Sequence, residues 1–123
     1  MKKLLSTMLV AAMMLTLVAC GSKAIPNTVF SVDDLPGKTI GVQLGTTGDI
    51  YASDYEAEGS TIERYNKGAD AIQALKQGKI DCVIIDEQPA IAFCNKNTDL
   101  TILEEEFALE EYAICISKEN ADL

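Results

Sequence analysis

Ile40, Val42 and Leu44 alternate with Thr39, Gly41 and Gln43, and this period of two predicts a short strand over residues 39–44. A loop of two glycines and two threonines follows, Gly45-Thr46-Thr47-Gly48. Beyond it Tyr51 and Tyr55 stand one helical turn apart, which predicts a helix over residues 49–58 with both rings on one face and Gly59 as its stop. Residues 61–65 alternate weakly and predict a second strand. Residues 66–77 predict a second helix: Ile72 and Leu75 form an apolar stripe padded by Ala71 and Ala74, Asp70 suits the first turn, and Gly78 ends it. Ile80-Asp81-Cys82-Val83-Ile84-Ile85 is almost continuously apolar and rich in β-branched residues, the pattern of a parallel strand covered on both faces. Pro89 at the first helical position predicts a third helix over residues 89–96. Residues 101–103 and 111–117 predict two last strands, with Glu104-Glu105-Glu106 between them as solvated surface.

Strands that alternate with helices imply an α/β fold, a mostly parallel sheet flanked by helices on its faces. The chain has 123 residues, enough for one domain. From Leu35 onward, about 85 residues bury a modest core.

The N-terminus follows a different pattern. Lys2 and Lys3 precede an apolar run from Leu4 to Ala19, too short for an ordinary spanning helix. The run ends in Leu17-Val18-Ala19-Cys20, which resembles a lipobox, the bacterial lipoprotein signal. On that reading residues 1–19 are a signal peptide, Cys20 is lipidated, and residues 20–34 tether the lobe of residues 35–123 to a membrane. The protein then sits at the outer face of the cytoplasmic membrane or in the periplasm. A plain secretory signal with an incidental cysteine is the alternative.

Charge and cysteines narrow the chemistry. Without Lys2 and Lys3, eight basic residues face nineteen acidic ones, a net charge of −11. No basic stripe is available for nucleic acid. Cys82, Cys94 and Cys115 all sit in apolar surroundings and read as small core residues. The chain has no histidine and no CxxC, so neither a zinc site nor a Cys–His catalytic pair is expected, and no metal or cofactor is implied.

In an open parallel sheet, ligands bind beyond the carboxyl ends of the strands. Gly45-Thr46-Thr47-Gly48 falls there, where free N–H groups at a helix start and two hydroxyls attract an anion. No Gly-Lys-Ser/Thr follows, so the loop suits a carboxylate better than a triphosphate. Asp86 falls at the end of the buried run and suits an ammonium group. Together they match the two ends of an amino acid. Each also has a plain structural reading: Thr46 or Thr47 as the N-cap of the next helix, and Asp86 as the cap of the helix at Pro89.

Four segments carry a resemblance. LPGKTIGVQLGTTG (residues 35–48), AIQALKQGKID (71–81), VIID (83–86) and EEYAICISK (110–118) resemble, in order, the second lobe of the polar amino-acid-binding proteins of ABC importers, extracytoplasmic solute-binding protein family 3. The resemblance covers about residues 34–123. It implies a periplasmic-binding-protein-like type II fold. It further implies that Thr47 bonds the ligand α-carboxylate, that Thr46 and Gly48 shape the loop and lend backbone donors, that Asp86 accepts from the α-amino group, and that Gln43 and Gly45 set the loop's entry. The family's first lobe, with its arginine for the carboxylate, has no counterpart before the loop, and the only arginine, Arg64, lies within the lobe.

The leading expectation is therefore a lipid-anchored, non-enzymatic amino-acid-binding lobe of an ABC importer, completed by a partner lobe or standing as a truncated half, with an ABC permease as partner. A half-site leaves the ligand's charges in water, where an exposed ion pair contributes about 0–1 kcal/mol. Millimolar or weaker binding is expected, about 4 kcal/mol. The alternative is an exported interaction lipoprotein that keeps the lobe, dimerises or docks, and binds no solute. An enzyme is a third reading, since some relatives of the fold act as dehydratases, but no histidine or metal constellation supports it. Asp86 and Glu87 do not form an acid–base pair, because neighbours in an extended segment point apart.

Overall fold

The alternating run after Lys38 becomes the middle strand of the protein. In the computed structural model, which describes residues 25–111 and 113–117, β1 (Thr39–Gln43) pairs in parallel with β2 (Thr61–Tyr65) on one side and β3 (Cys82–Ile84) on the other. The helices are α1 (Thr47–Ser53), α2 (Gly68–Lys76) and α3 (Glu87–Lys96). The leader pattern with Cys20, and residues 112 and 118–123, lie outside the described residues. Among the described residues no helix is long and apolar enough to cross a membrane.

Burial follows strand period. Ile40 and Val42 are fully buried on one face of β1, and they pack with Leu35, Ala52 of α1, Ile62 and Val29. On the other face a Cβ at Gly41 would run into Ile80, so glycine there lets that side chain lie directly on the sheet. Gln43 shares that face and its Oε1 lies 3.5 Å from where a Cβ of Gly68 would be, at the start of α2. Ala71 and Ala74 bring α2 close to the strands. The two crossovers thus put α1 and α2 on opposite faces of the sheet.

Residues 25–34, expected to tether, contact the lobe. Val29 is buried in the core, Thr28 Oγ1 donates to Asp81 Oδ1 at 3.1 Å, and Ile25 lies against Gly78. Asp81 also ties the base of the sheet: its Oδ2 accepts from the Thr39 N–H at 2.8 Å, and its own N–H donates to the Thr39 carbonyl at 2.8 Å.

Several element boundaries differ from expectation. The first helix begins at Thr47, not residue 49, and tightens into a 3-10 turn over Asp54–Glu58 before Gly59, whose φ of +88° ends it. That tightening breaks the expected Tyr51–Tyr55 stack: Tyr51 is exposed, while Tyr55 packs on the core and against Phe107, with ring centroids 6.3 Å apart. The third helix begins at Glu87, two residues before Pro89. Proline is tolerated in the first turn because its missing N–H has no intrahelical acceptor there. β3 is shorter than residues 80–85 and only half buried, because it is an edge strand and not a covered one. Residues 101–103 form no strand, and neither do residues 113–117. Their apolar side chains, including Ile114 at 93% exposed, are left uncovered by the other described residues. Cys115 is exposed and not a core residue, for the same reason. Cys82 is half buried, and burial together with Asp81 pushes its thiol up to about 12.

The burial contrast sets a stability prediction. Ile40→Val removes one methylene from the fully packed strand and should lower stability by about 0.5–1.5 kcal/mol. Ile114→Ser should change it by less than about 0.5 kcal/mol. Urea midpoints of the two variants check both.

Candidate ligand site at the carboxyl ends of β1 and β3

The strand order β2-β1-β3 reverses direction at β1, and in open parallel sheets such a switch point is where ligands bind, beyond the carboxyl ends of the strands. The chain leaves β1 through Leu44, whose N–H donates to the Tyr65 carbonyl at 2.9 Å. Gly45 then takes φ +77°, a left-handed conformation that glycine adopts without strain. Thr46 is the N-cap of α1. Its hydroxyl donates to the Gln43 carbonyl at 2.8 Å and accepts from the Asp49 N–H at 3.3 Å. Its own N–H donates to the same Gln43 carbonyl at 3.3 Å. The structural reading of Thr46 therefore holds, and Gln43 serves the loop through its backbone.

Thr47 and Gly48 are the first residues of α1, where N–H groups have no intrahelical acceptor. Gly48 packs on β3: a Cβ there would lie 3.3 Å from Ile84 Cγ2 and 3.4 Å from the Ile84 carbonyl oxygen. Asp86 follows two residues after Ile84. It is exposed, and it occupies the N-cap position of α3 without a side-chain capping bond, so its carboxylate is not spent on the helix. The expected residues thus gather at one end of the sheet, with Thr46 and Gly45 committed to shaping the loop, Thr47 and Gly48 at the start of α1, and Asp86 at the start of α3. The site is an open face. A depression of about 260 Å³, lined by Tyr65, Asp70, Gln73, Ala74, Gln77 and Lys79, runs along α2 and includes none of these residues. Among the described residues no cluster of histidine, cysteine and acidic side chains could hold a metal ion.

Two residues of the loop's support were missed by pattern. Asp49 is buried, and its Oδ2 accepts from the Gly45 N–H at 2.9 Å. Its Oδ1 accepts from Arg64 Nε at 2.7 Å. The Gly45 hydrogen bond holds the Asp49 carboxyl below the ordinary value; burial opposes this, and Arg64 adds to the lowering. The available signal was an acid three residues after a threonine cap, a variant of the capping box.

Thr46→Ala should cost about 0.5–2 kcal/mol through loss of the cap, whereas Thr47→Ala should leave the unfolding midpoint nearly unchanged. A depressed carboxyl pKa adds stability above its unfolded value, and that stability is lost as pH falls through the folded one. Asp49→Asn should therefore lower stability at neutral pH and flatten the loss of stability on acidification below 3.8, followed by thermal melts between pH 7 and 2.

No family model matches the chain. Over 102 residues it is 30% identical to the L-cystine-binding protein TcyJ of Escherichia coli K12, covering 82% of this chain and 38% of that protein. It is 35% identical over 71 residues to the arginine-binding extracellular protein ArtP of Bacillus subtilis, covering 57% of this chain and 28% of that one. It therefore spans well under half the length of these relatives. An arginine-bound mutant of ArgBP from T. maritima superposes with a TM-score of 0.68 at 41% identity, over 81% of this chain and 46% of that one. Domain 2 of the same protein, crystallised alone, gives 0.52 at 39% identity, over 68% of this chain and 85% of that domain. The relatives are binding proteins and not enzymes, and the fold is that of a single type II periplasmic-binding-protein lobe. With most of an isolated second domain matched in sequence and in shape, the chain belongs to the extracytoplasmic amino-acid solute-binding proteins.

Proposed function

We propose that the chain is the amino-acid-binding lobe of an extracytoplasmic importer component, anchored to the membrane through a lipidated Cys20. The Thr47 and Gly48 N–H groups and the Thr47 hydroxyl take the α-carboxylate, and Asp86 takes the α-ammonium. One observation carries this reading: Gly48 packs on Ile84, which brings the open helix start and the uncommitted Asp86 carboxylate to one end of the sheet. Opposite charges at two neighbouring strand ends complement a zwitterion. Thr46, Gly45 and Gln43 support the loop without touching ligand. A partner lobe and an ABC permease complete the transport role.

A second reading is favoured by the apolar residues beside the loop. Leu44 is 56% exposed and Ile50 67% exposed, and Tyr51 is exposed too. Such a face suits a docking lipoprotein that binds no solute.

Titration of a pool of L-amino acids into labelled protein, followed by amide NMR, separates the two. Saturable shifts at Thr46, Thr47, Gly48 and Asp86 with a millimolar midpoint are expected, and Asp86→Asn should weaken binding by up to about fivefold, the range of an exposed ion pair. A folded spectrum that stays still through tens of millimolar amino acid overturns solute binding and leaves docking. Incorporation of labelled palmitate that is lost in Cys20→Ser tests the anchor.

A further inference from the structure

We propose that Arg64 is a positioning residue for the ligand carboxylate: by neutralising Asp49, which locks the loop from inside, it lets that loop accept an anion. The proposal rests on the reading of the loop as a carboxylate site.

The loop contains an apparent contradiction. Its rigidity comes from Asp49, whose carboxylate turns back to hold the Gly45 N–H at 2.9 Å. That puts a buried negative charge two residues from Thr47, where a second negative charge must bind. Arg64 resolves it. The residue stands on β2 opposite Val42 of β1, and its Nε reaches Asp49 Oδ1 at 2.7 Å. Its Nη2 donates to Ser53 Oγ at 2.8 Å and to Glu56 Oε1 at 3.3 Å, and its Nη1 reaches the Ile62 carbonyl at 3.5 Å. Ser53 in turn donates to the Asp49 carbonyl at 2.7 Å. The guanidinium is thus pinned against α1 from several sides, with its charge beside the one carboxylate that is buried among the described residues. Of these partners Asp49 is the one that holds the Gly45 N–H, so Arg64 acts on the loop through Asp49.

A neutraliser and a mere strut make opposite predictions. Asp49→Asn keeps an oxygen to accept from Gly45 but removes the negative charge. Arg64→Gln leaves that charge uncompensated. If charge is what matters, Arg64→Gln weakens carboxylate binding and Asp49→Asn strengthens it, each by about two- to fivefold for charges separated by a few ångströms near a wet surface. If the pair is only a strut, both variants weaken binding.

The test uses glycine, which presents the α-groups without a side chain, and glycinamide, which lacks the carboxylate charge. Both are titrated by amide NMR into the whole protein and its Arg64→Gln, Arg64→Lys, Asp49→Asn and doubly substituted (Arg64→Gln with Asp49→Asn) forms. The expected result is weaker glycine binding in Arg64→Gln, rescue in Arg64→Lys, tighter binding in Asp49→Asn, near-original binding in the double form, and glycinamide binding that Arg64→Gln does not weaken. Equal glycine affinity in all forms, or weakening in Asp49→Asn as well, overturns the proposal while leaving the carboxylate site standing. Absence of saturable glycine and amino-acid shifts in the unsubstituted protein overturns the site and the proposal together. Should Arg64→Gln fail to fold, the direction of change in Asp49→Asn decides alone.

Discussion

The parallel ladder on both sides of β1 is the constraint from which the rest of the lobe follows. Thr39–Gln43 is matched residue for residue by Thr61–Tyr65, and Ile40, Gly41 and Val42 by Cys82, Val83 and Ile84. Because the chain goes from β1 to β2 on one side and returns past β1 to β3 on the other, its right-handed crossovers fall on opposite faces. That arrangement makes the carboxyl end of the β1–β3 pair a topological switch point. The register matters as much as the order. A slip of one residue would turn Ile40 and Val42 away from Ala52 and Ile62, and would carry Gly48 off Ile84. Asp81 guards against this at the opposite end of the pair, where it bonds Thr39 through both side chain and backbone.

Local physics was legible where a residue has few alternatives. The alternation of Ile40 and Val42, and the left-handed glycines 59 and 78 that end the first and second helices, were readable because period and φ are properties of a short stretch. The gathering of the loop and Asp86 was readable from topology, since both follow strands of one parallel sheet. Residues 101–103 and 113–117 were not readable. A pattern states which face could be buried, and not whether anything is present to bury it; Ile102 and Ile116 stay exposed with strand-like sequence. Asp49 and Arg64 were missed for a related reason. Their pairing spans a helix and a neighbouring strand, and only the register that sets Arg64 opposite Val42 makes them meet.

The loop's polar groups divide into two sets with different work to do. The inner set, the Gly45 N–H and the Thr46 N–H and hydroxyl, is saturated by Gln43 and Asp49. The outer set, at Thr47 and Gly48, is left at an open helix start. On the proposed function, a carboxylate arriving at the outer set would meet donors already in place, so little ordering of the protein would oppose binding. It also means that improving the loop cannot make binding tight, because the donors and Asp86 both face water, and exposed charge contacts are weak whatever their geometry. On the same reading, strength would come from a second surface that excludes water from this end of the sheet and so raises the worth of each contact. The exposed Leu44, Ile50 and Tyr51 beside the loop are suited to meet such a surface, since covering them removes apolar area from water while it dries the charges next to them. On the proposed function, recognition of the α-groups therefore resides in this lobe and affinity in whatever covers it.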